Sequence, residues 1–337
     1  LSTGTVNSDG SVTLTAAQLD GLTITPSADS DTNFDLAITA TSTDGTDTAT
    51  TTATLPVTVA AVADAPDLTV GAASGDEDTA IALDIAAALT DADGSEVLSV
   101  TIDGIPGGAT LSAGTGNDDG SVTLTAAQLD GLTITPAPDS DADFDLTITA
   151  TSTDGTDTAT TTATLPVSVA AVADAPTLNV SAASGDEDSA IALDIASTLT
   201  DTDGSEVLSV TIEGIPDGAT LSVGTLNDDG SVTLTAAQLD GLTITPPADS
   251  DADFDLAITA TSTDGTATAT TTATLPVTVA AVADAPTLEV AAASGDEDSA
   301  IALDIASALT DTDGSEILSV TIAGIPDGAT LSAGTVN

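Results

Sequence analysis

The sequence predicts an all-β chain of tandem antiparallel β-sandwich domains in a linear array. Three observations carry that expectation. One phrase returns every 110 residues, each copy alternates apolar and polar residues with a period of two, and turn signals cut each copy into short runs. The phrase GSVTLTAAQLDGLTITP begins at Gly10, Gly120 and Gly230, and Phe34, Phe144 and Phe254 keep the same spacing, as do Pro66, Pro176 and Pro286. A period of 110 residues is the size of a domain and too long for one turn of a solenoid. The run LPV(T/S)VAAVADAP, where a strand ends and Pro restarts the chain, sets the boundaries. Whole repeats are expected at 64–173 and 174–283, the C-terminal part of a repeat at 1–63 and the N-terminal part of another at 284–337. Leu331–Asn337 nearly repeats Leu1–Asn7, and no residue is Met. The chain is therefore expected to be a piece of something longer, cut within a repeat.

Within the first whole repeat, short alternating runs lie at Ile81–Ile85, Leu98–Ile102, Val122–Leu124 and Leu132–Ile134. Longer ones follow. Phe144, Leu146, Ile148 and Ala150 alternate with Asp145, Thr147, Thr149 and Thr151, and Thr161, Ala163, Leu165, Val167 and Val169 alternate with polar residues and Pro166. About seven such strands between Asp-Gly and Gly-Gly turns read as a two-layer sandwich. Pro166 places its strand at a sheet edge or a bulge, since it has no N–H to donate. Ala126–Leu129 and Ala86–Ala88 each have room for one helical turn. The Phe at 34, 144 and 254 reads as the one large core residue of each repeat.

Composition excludes much. The 337 residues include 54 Asp and Glu but no Lys, Arg, His or Cys. With no cations to neutralise phosphate, nucleic-acid binding and attraction to anionic membranes are excluded. Without His or Cys, most nucleophile–base pairs, thiolate chemistry and zinc sites go as well. Every apolar run is interrupted too early to insert in a membrane as a helix. A hydrophobic content of 41% and a mean hydropathy of +0.29 argue for a folded chain despite a net charge of -54. Paired carboxylates can hydrolyse glycosides, but these lie in repeated loops with no aromatic platform for a sugar, so no enzyme is expected.

The acids gather in loops, while the outward strand positions are mostly Thr and Ser, which suit strands and stay soluble. In the first whole repeat they are Asp76-Glu77-Asp78, Asp91 and Asp93 with Glu96, Asp118-Asp119, Asp139, Asp141 and Asp143, and Asp154. Like charges at this density repel unless a hard cation sits among them, and oxygen-only ligands favour Ca²⁺. The EF-hand pattern fails, because a loop begun at Asp139 has Phe144 in the glycine position and Ala150 in the final glutamate position. Asp118-Asp119-Gly120 and Asp130-Gly131 read as turns, and hairpin chemistry alone accounts for Asp154.

The stretch LTDADGSEVLSVTI is similar to the cadherin segment built on a D-x-D loop before a strand, and LTITATSTDG with AVADAP resembles the last cadherin strands and their linker. The order of GDED(T/S)AIALDI, TAAQLDGLTITP and VADAP resembles more closely the cadherin-like or immunoglobulin-like repeats of giant bacterial adhesins of the RTX type, exported by type I secretion. That resemblance covers the whole chain. It implies Ca²⁺ bound at the junctions between repeats, stiffening the string, and a secreted protein at the bacterial cell surface. Carried over residue by residue, it gives Glu77, Asp141, Asp143, Asp174, Asp201, Asp203 and Asp264 as ligands between the whole repeats. The following junction would use Glu187, Asp251, Asp253, Asp284, Asp311 and Asp313, and the preceding one Asp31, Asp64, Asp91, Asp93 and Asp154. The linker departs from cadherins in carrying a single Asp, which implies fewer ions per junction.

The expected function is a structural extender that projects a distal adhesive domain, its partners being calcium ions and neighbouring repeats. The alternative is that the sandwiches themselves bind a partner, homophilically or through a glycan or other surface ligand. Residues 284–337 of one molecule are also expected to complete residues 1–63 of the next, head to tail.

Overall fold

Alternation with a period of two sends every second side chain to the same face of a strand, and burial of that face fixes the pairing register. The computed structural model describes all residues except 92, 93, 202, 312, 313, 336 and 337. It divides into two units, Leu1–Ala171 and Val172–Asn337. In the first, strand Phe144–Asp154 pairs antiparallel with Asp157–Ala170 along its whole length, Phe144 opposite Val167 and Asp154 opposite Asp157. The two-residue loop Gly155-Thr156 closes this hairpin, with Gly155 in the left-handed region at φ 61. Leu146, Ile148, Leu165 and Val167 face inward and are buried, and Thr147, Thr162 and Thr164 face solvent.

This hairpin supplies the fourth and fifth strands of a six-stranded sheet, in the order Thr115–Gly116, Val122–Thr125, Val97–Asp103, Phe144–Asp154, Asp157–Ala170, Ala73–Asp76. The last pairing is parallel, Val167 opposite Ala73, so the sandwich is not wholly antiparallel. Pro166 lies one residue before that pairing begins, where the outer edge of its strand is still open and no ladder N–H is missed. The opposite layer comprises Thr110–Leu111, Thr133–Thr135 and Ile81–Ala82, together with the pair Asp67–Val70 and Ile85–Ala88. Ile81, Ile85 and Ile134 from this layer meet Val100, Ile102 and Ile148 in one core. The second unit repeats the plan around Phe254–Asp264 and Ala267–Ala280, with Ile212, Leu234, Ile244 and Ile258 in its core.

Two local expectations are corrected. Ala86–Ala88 is strand rather than a helical turn, because Ile85 is drawn into the core and the backbone finds a ladder partner in Asp67–Val70. Phe144 and Phe254 are half-buried at the core's rim, while the largest fully buried side chains are Ile and Leu. Ala126–Gln128 does form one turn, of 3₁₀ type, with Gln128 Oε1 accepting from the N–H and the hydroxyl of Thr125. Asp119 is a turn residue: its carboxylate accepts from the Ser121 hydroxyl at 2.7 Å and the Ser121 N–H at 3.1 Å, which hold it below the usual carboxylate range.

The flanking part-repeats keep local pairing but lack cover. Hairpin Phe34–Asp44 with Asp47–Val57 has the same register as its copies, yet Ile38 is 46% exposed and Leu55 52%, where Ile148 and Leu165 are both 0%. At the other end Thr287–Val290 pairs with Ile305–Ala308, and Leu288 and Val290 are exposed.

Candidate metal centre

The linker Asp-Ala-Pro has no ladder of its own, and the residue before Pro is held extended, so its backbone groups need side-chain partners. The first whole repeat supplies them. Asp64 N–H donates to Glu96 Oε1 at 2.7 Å, and Ser152 Oγ donates to the Asp64 carbonyl. Thr90 and Thr161 hydroxyls donate to the carbonyls of Ala65 at 3.1 Å and Pro66 at 2.7 Å. The second unit repeats the grip on Asp174, Ala175 and Pro176 through Glu206, Ser262, Thr200 and Thr271. Ser152 and Ser262 do this because the inward face of the long strand turns polar at its end. After Leu146, Ile148 and Ala150 come Ser152 and Asp154, both buried, and Ser262 and Asp264 repeat them.

In the second unit the linker is also held from its other side. Glu187 N–H donates to the Ala280 carbonyl at 3.0 Å, and Glu187 Oε1 accepts Val282 N–H at 2.6 Å. Two residues on, Asp284 N–H donates to Glu316 Oε1 at 2.6 Å. Glu187 is 2% exposed, and its Oε2 is buried with no hydrogen-bond donor among the described residues. The Val282 N–H pulls the Glu187 carboxyl down. Loss of water and the nearby Asp311, Asp188 and Asp251 outweigh it and hold the group above its usual range. Beside it, carboxylate oxygens of Asp188, Asp249 and Asp284 lie within 4.8 Å of one another. Asp249 N–H donates to Asp188 Oδ1 at 3.0 Å, and both residues adopt left-handed backbone, at φ 57 and φ 58.

The first unit gathers the predicted Asp31, Asp64, Asp91 and Asp154 around one cleft of about 280 Å³, which Asp29 also lines. Buried acids also stand where predicted at Glu77, Asp201, Asp264 and Asp311. Asp203 is exposed and closes its own loop, donating its N–H to Asp201 Oδ1 at 2.8 Å and accepting Ser205 N–H at 2.7 Å. Asp141 and Asp251 are half-buried in the loop before the long strand. The predicted Asp93 and Asp313 lie outside the described residues.

Asp143 and Asp253 have a different employment. Their Oδ1 atoms accept the N–H of Val169 at 2.8 Å and Val279 at 2.9 Å, pinning the end of the last strand. Asn33 does the same for Val59 at 2.8 Å, so this pin needs an acceptor but no charge. Asp143→Asn should therefore leave the EDTA-treated chain close to wild type, whereas Asp143→Ala should lose about 1–3 kcal/mol, as read by denaturant unfolding. Equal loss in both variants would refute the pin.

Sequence reasoning missed the weight of Glu96, Glu206 and Glu316, and of Asp188 and Asp249. Each of the three glutamates follows its linker Asp by 32 residues. That interval was visible, but nothing in it signals contact across the fold.

The donor set is all oxygen, crowded and partly dry, and includes a buried carboxylate oxygen of Glu187 that no N–H or O–H serves among the described residues. Those are the conditions a hard divalent cation satisfies. In the second unit, the carboxylates of Asp188, Asp249 and Asp284 lie close enough together to share one such ion. No described helix is long and apolar enough to cross a membrane.

No protein-family model and no curated protein matches the chain. Among solved structures it is similar to Drosophila N-cadherin EC1-4, at 16% identity and a TM-score of 0.24, over 83% of this chain and 69% of that one. Human protocadherin-24 EC1-2 is similar at 14% identity and a TM-score of 0.33, over 64% and 99%. The titin domains Z1Z2 in complex with telethonin follow at 15% and 0.28, over 65% and 100%. The all-β sandwich assignment stands on the strand registers of the chain itself.

Proposed function

We propose that this chain is a run of extender domains from a secreted bacterial surface adhesin of the RTX type, stiffened by Ca²⁺ and serving a structural rather than a catalytic role. The observation that carries the reading is Glu187. One oxygen holds the linker N–H of Val282, the other is buried without a donor among the described residues, and the charges of Asp311, Asp188 and Asp251 act on the group. Bound there, Ca²⁺ supplies positive charge that these carboxylates share. Without it the like charges repel, and the linker keeps the hydrogen bonds at Ala280, Val282, Asp284 and Ala285. With the charges neutralised, acids from the loop of one repeat and the D-x-D loop of the next hold one position, and the linker between them is fixed. Near-identical repeats suit such a spacer, since reach then depends on copy number.

The part-repeats fit the same array. Residues 284–337 resemble the N-terminal half of a repeat and residues 1–63 the C-terminal half, and head-to-tail pairing of the two would complete a sandwich. The exposure of Ile38 and Leu55, beside the full burial of Ile148 and Leu165, supports this pairing.

Small-angle scattering on the full chain, in EDTA and in millimolar CaCl₂ at matched ionic strength, tests both statements. Calcium, but not MgCl₂, should lengthen the maximum dimension, and forward scattering should rise with concentration as copies join. Equal lengthening by Mg²⁺ would reduce the acids to a solubility coat and leave the Thr-rich faces as the surface for a partner. A concentration-independent mass of one chain would rule out the pairing.

A further inference from the structure

We infer that Glu96, Glu206 and Glu316 each join the linker to a bound divalent cation, with one carboxylate oxygen serving as a latch and the other as a metal ligand. The inference rests on the calcium reading above and adds a ligand position to it. The latch is shown three times: Oε1 accepts the linker Asp N–H at 2.7 Å for Glu96 and Glu206 and at 2.6 Å for Glu316. The second oxygen has no such use. Glu96 and Glu206 are each 7% exposed, and Oε2 of all three glutamates is buried with no hydrogen-bond donor among the described residues.

A latch alone does not need this charge. The pin at Val59 shows an amide oxygen, that of Asn33, doing for a backbone N–H what Asp143 and Asp253 do elsewhere in the chain. Gln would hold the linker Asp N–H equally well and would spare the fold a buried anionic oxygen, which is costly when left without a partner. The carboxylate at this position therefore has its use on the Oε2 side. The loop supplies the company: Asp201, buried and closed by the N–H of Asp203, begins the same six-residue stretch that Glu206 ends. The ligand class is a hard divalent cation, and Ca²⁺ tolerates the irregular oxygen geometry of such a loop.

Because one carboxylate touches both, the cation and the linker are coupled. Occupancy fixes the carboxylate plane and with it the latch, and by reciprocity an ordered linker raises affinity for the ion. The test is the full chain carrying Glu96→Gln, Glu206→Gln and Glu316→Gln, which keeps the latch oxygen and removes the charge. Two quantities are read: calcium uptake by titration calorimetry with CaCl₂, and hydrogen exchange of the Asp64, Asp174 and Asp284 amides. In EDTA the variant should protect these amides as the wild type does. Calcium should slow them further in the wild type and not in the variant, whose affinity should fall about tenfold or more. Calcium uptake and amide slowing equal to wild type would overturn this inference while leaving the calcium reading intact. No calcium uptake by the wild type would overturn both. Should the triple variant not fold, Glu206→Gln alone gives the same comparison at the Asp174 amide.

Discussion

Ile148→Ala should destabilise the first unit by about 2–5 kcal/mol, whereas Ile38→Ala, the same residue in the same phrase, should cost far less. The sequence around both is nearly identical, FDLTITATSTD against FDLAITATSTD, and both sit in the same hairpin register. They differ in cover. Ile148 is 0% exposed between the two layers, and Ile38 is 46% exposed on a hairpin with no opposite layer of its own. Removing three carbons from a closed core loses their transfer free energy and leaves a cavity; removing them from an open face loses only part of the first. Denaturant unfolding of each variant at low concentration, where copies do not join, reads the difference. Equal losses would mean that residues 1–63 have a core the structure does not show.

Glu187→Gln should raise the melting temperature of the calcium-free chain and weaken its response to calcium. The folded state holds the Glu187 carboxyl above its usual range, through desolvation and through Asp311, Asp188 and Asp251, against the pull of the Val282 N–H. A carboxyl raised on folding favours the folded state most when protonated. In EDTA its contribution is present below the unfolded value, about 4.3, and is lost as pH rises through the folded one. Lowering the pH from neutrality toward that value should thus stabilise the calcium-free chain, and less so in Glu187→Gln. Calcium binding should move the opposite way, because protons and cation compete for the same oxygens. Asp119 and its copies work in the other direction, but only at lower pH, since their turns depress them. A calcium-free wild type whose melting temperature falls on mild acidification, with Glu187→Gln unchanged from it, would contradict this account of the site.

The long hairpin was legible because one face of Phe144–Asp154 is buried, so alternation and a two-residue loop leave a single register. The parallel strand Ala73–Asp76 was not. Its residues Ala-Ser-Gly-Asp show no apolar alternation, and what recruits it is the open edge of a strand some ninety residues later. Ala86–Ala88 misled for a related reason, since alanine has no strand preference and tertiary pairing decided it. In the site, the acids could be read from their crowding into loops. Their division of labour could not, because Asp143 pins a strand end, Asp203 closes a turn and Glu96 latches a linker by contacts between distant segments. Ser152 and Thr161 hold the Asp64 and Pro66 carbonyls, a contact between distant segments that the strand alternation does not announce.

The central claim, that the crowded carboxylates exist for calcium, is tested most directly by thermal unfolding of the full chain in EDTA, CaCl₂ and MgCl₂ at equal ionic strength. At a hundredfold excess over the dissociation constant, calcium should add about 2.7 kcal/mol per site and raise the melting temperature by roughly 5–10 °C, with magnesium well behind. A melting temperature that moves equally in both salts, or in neither, would contradict the claim.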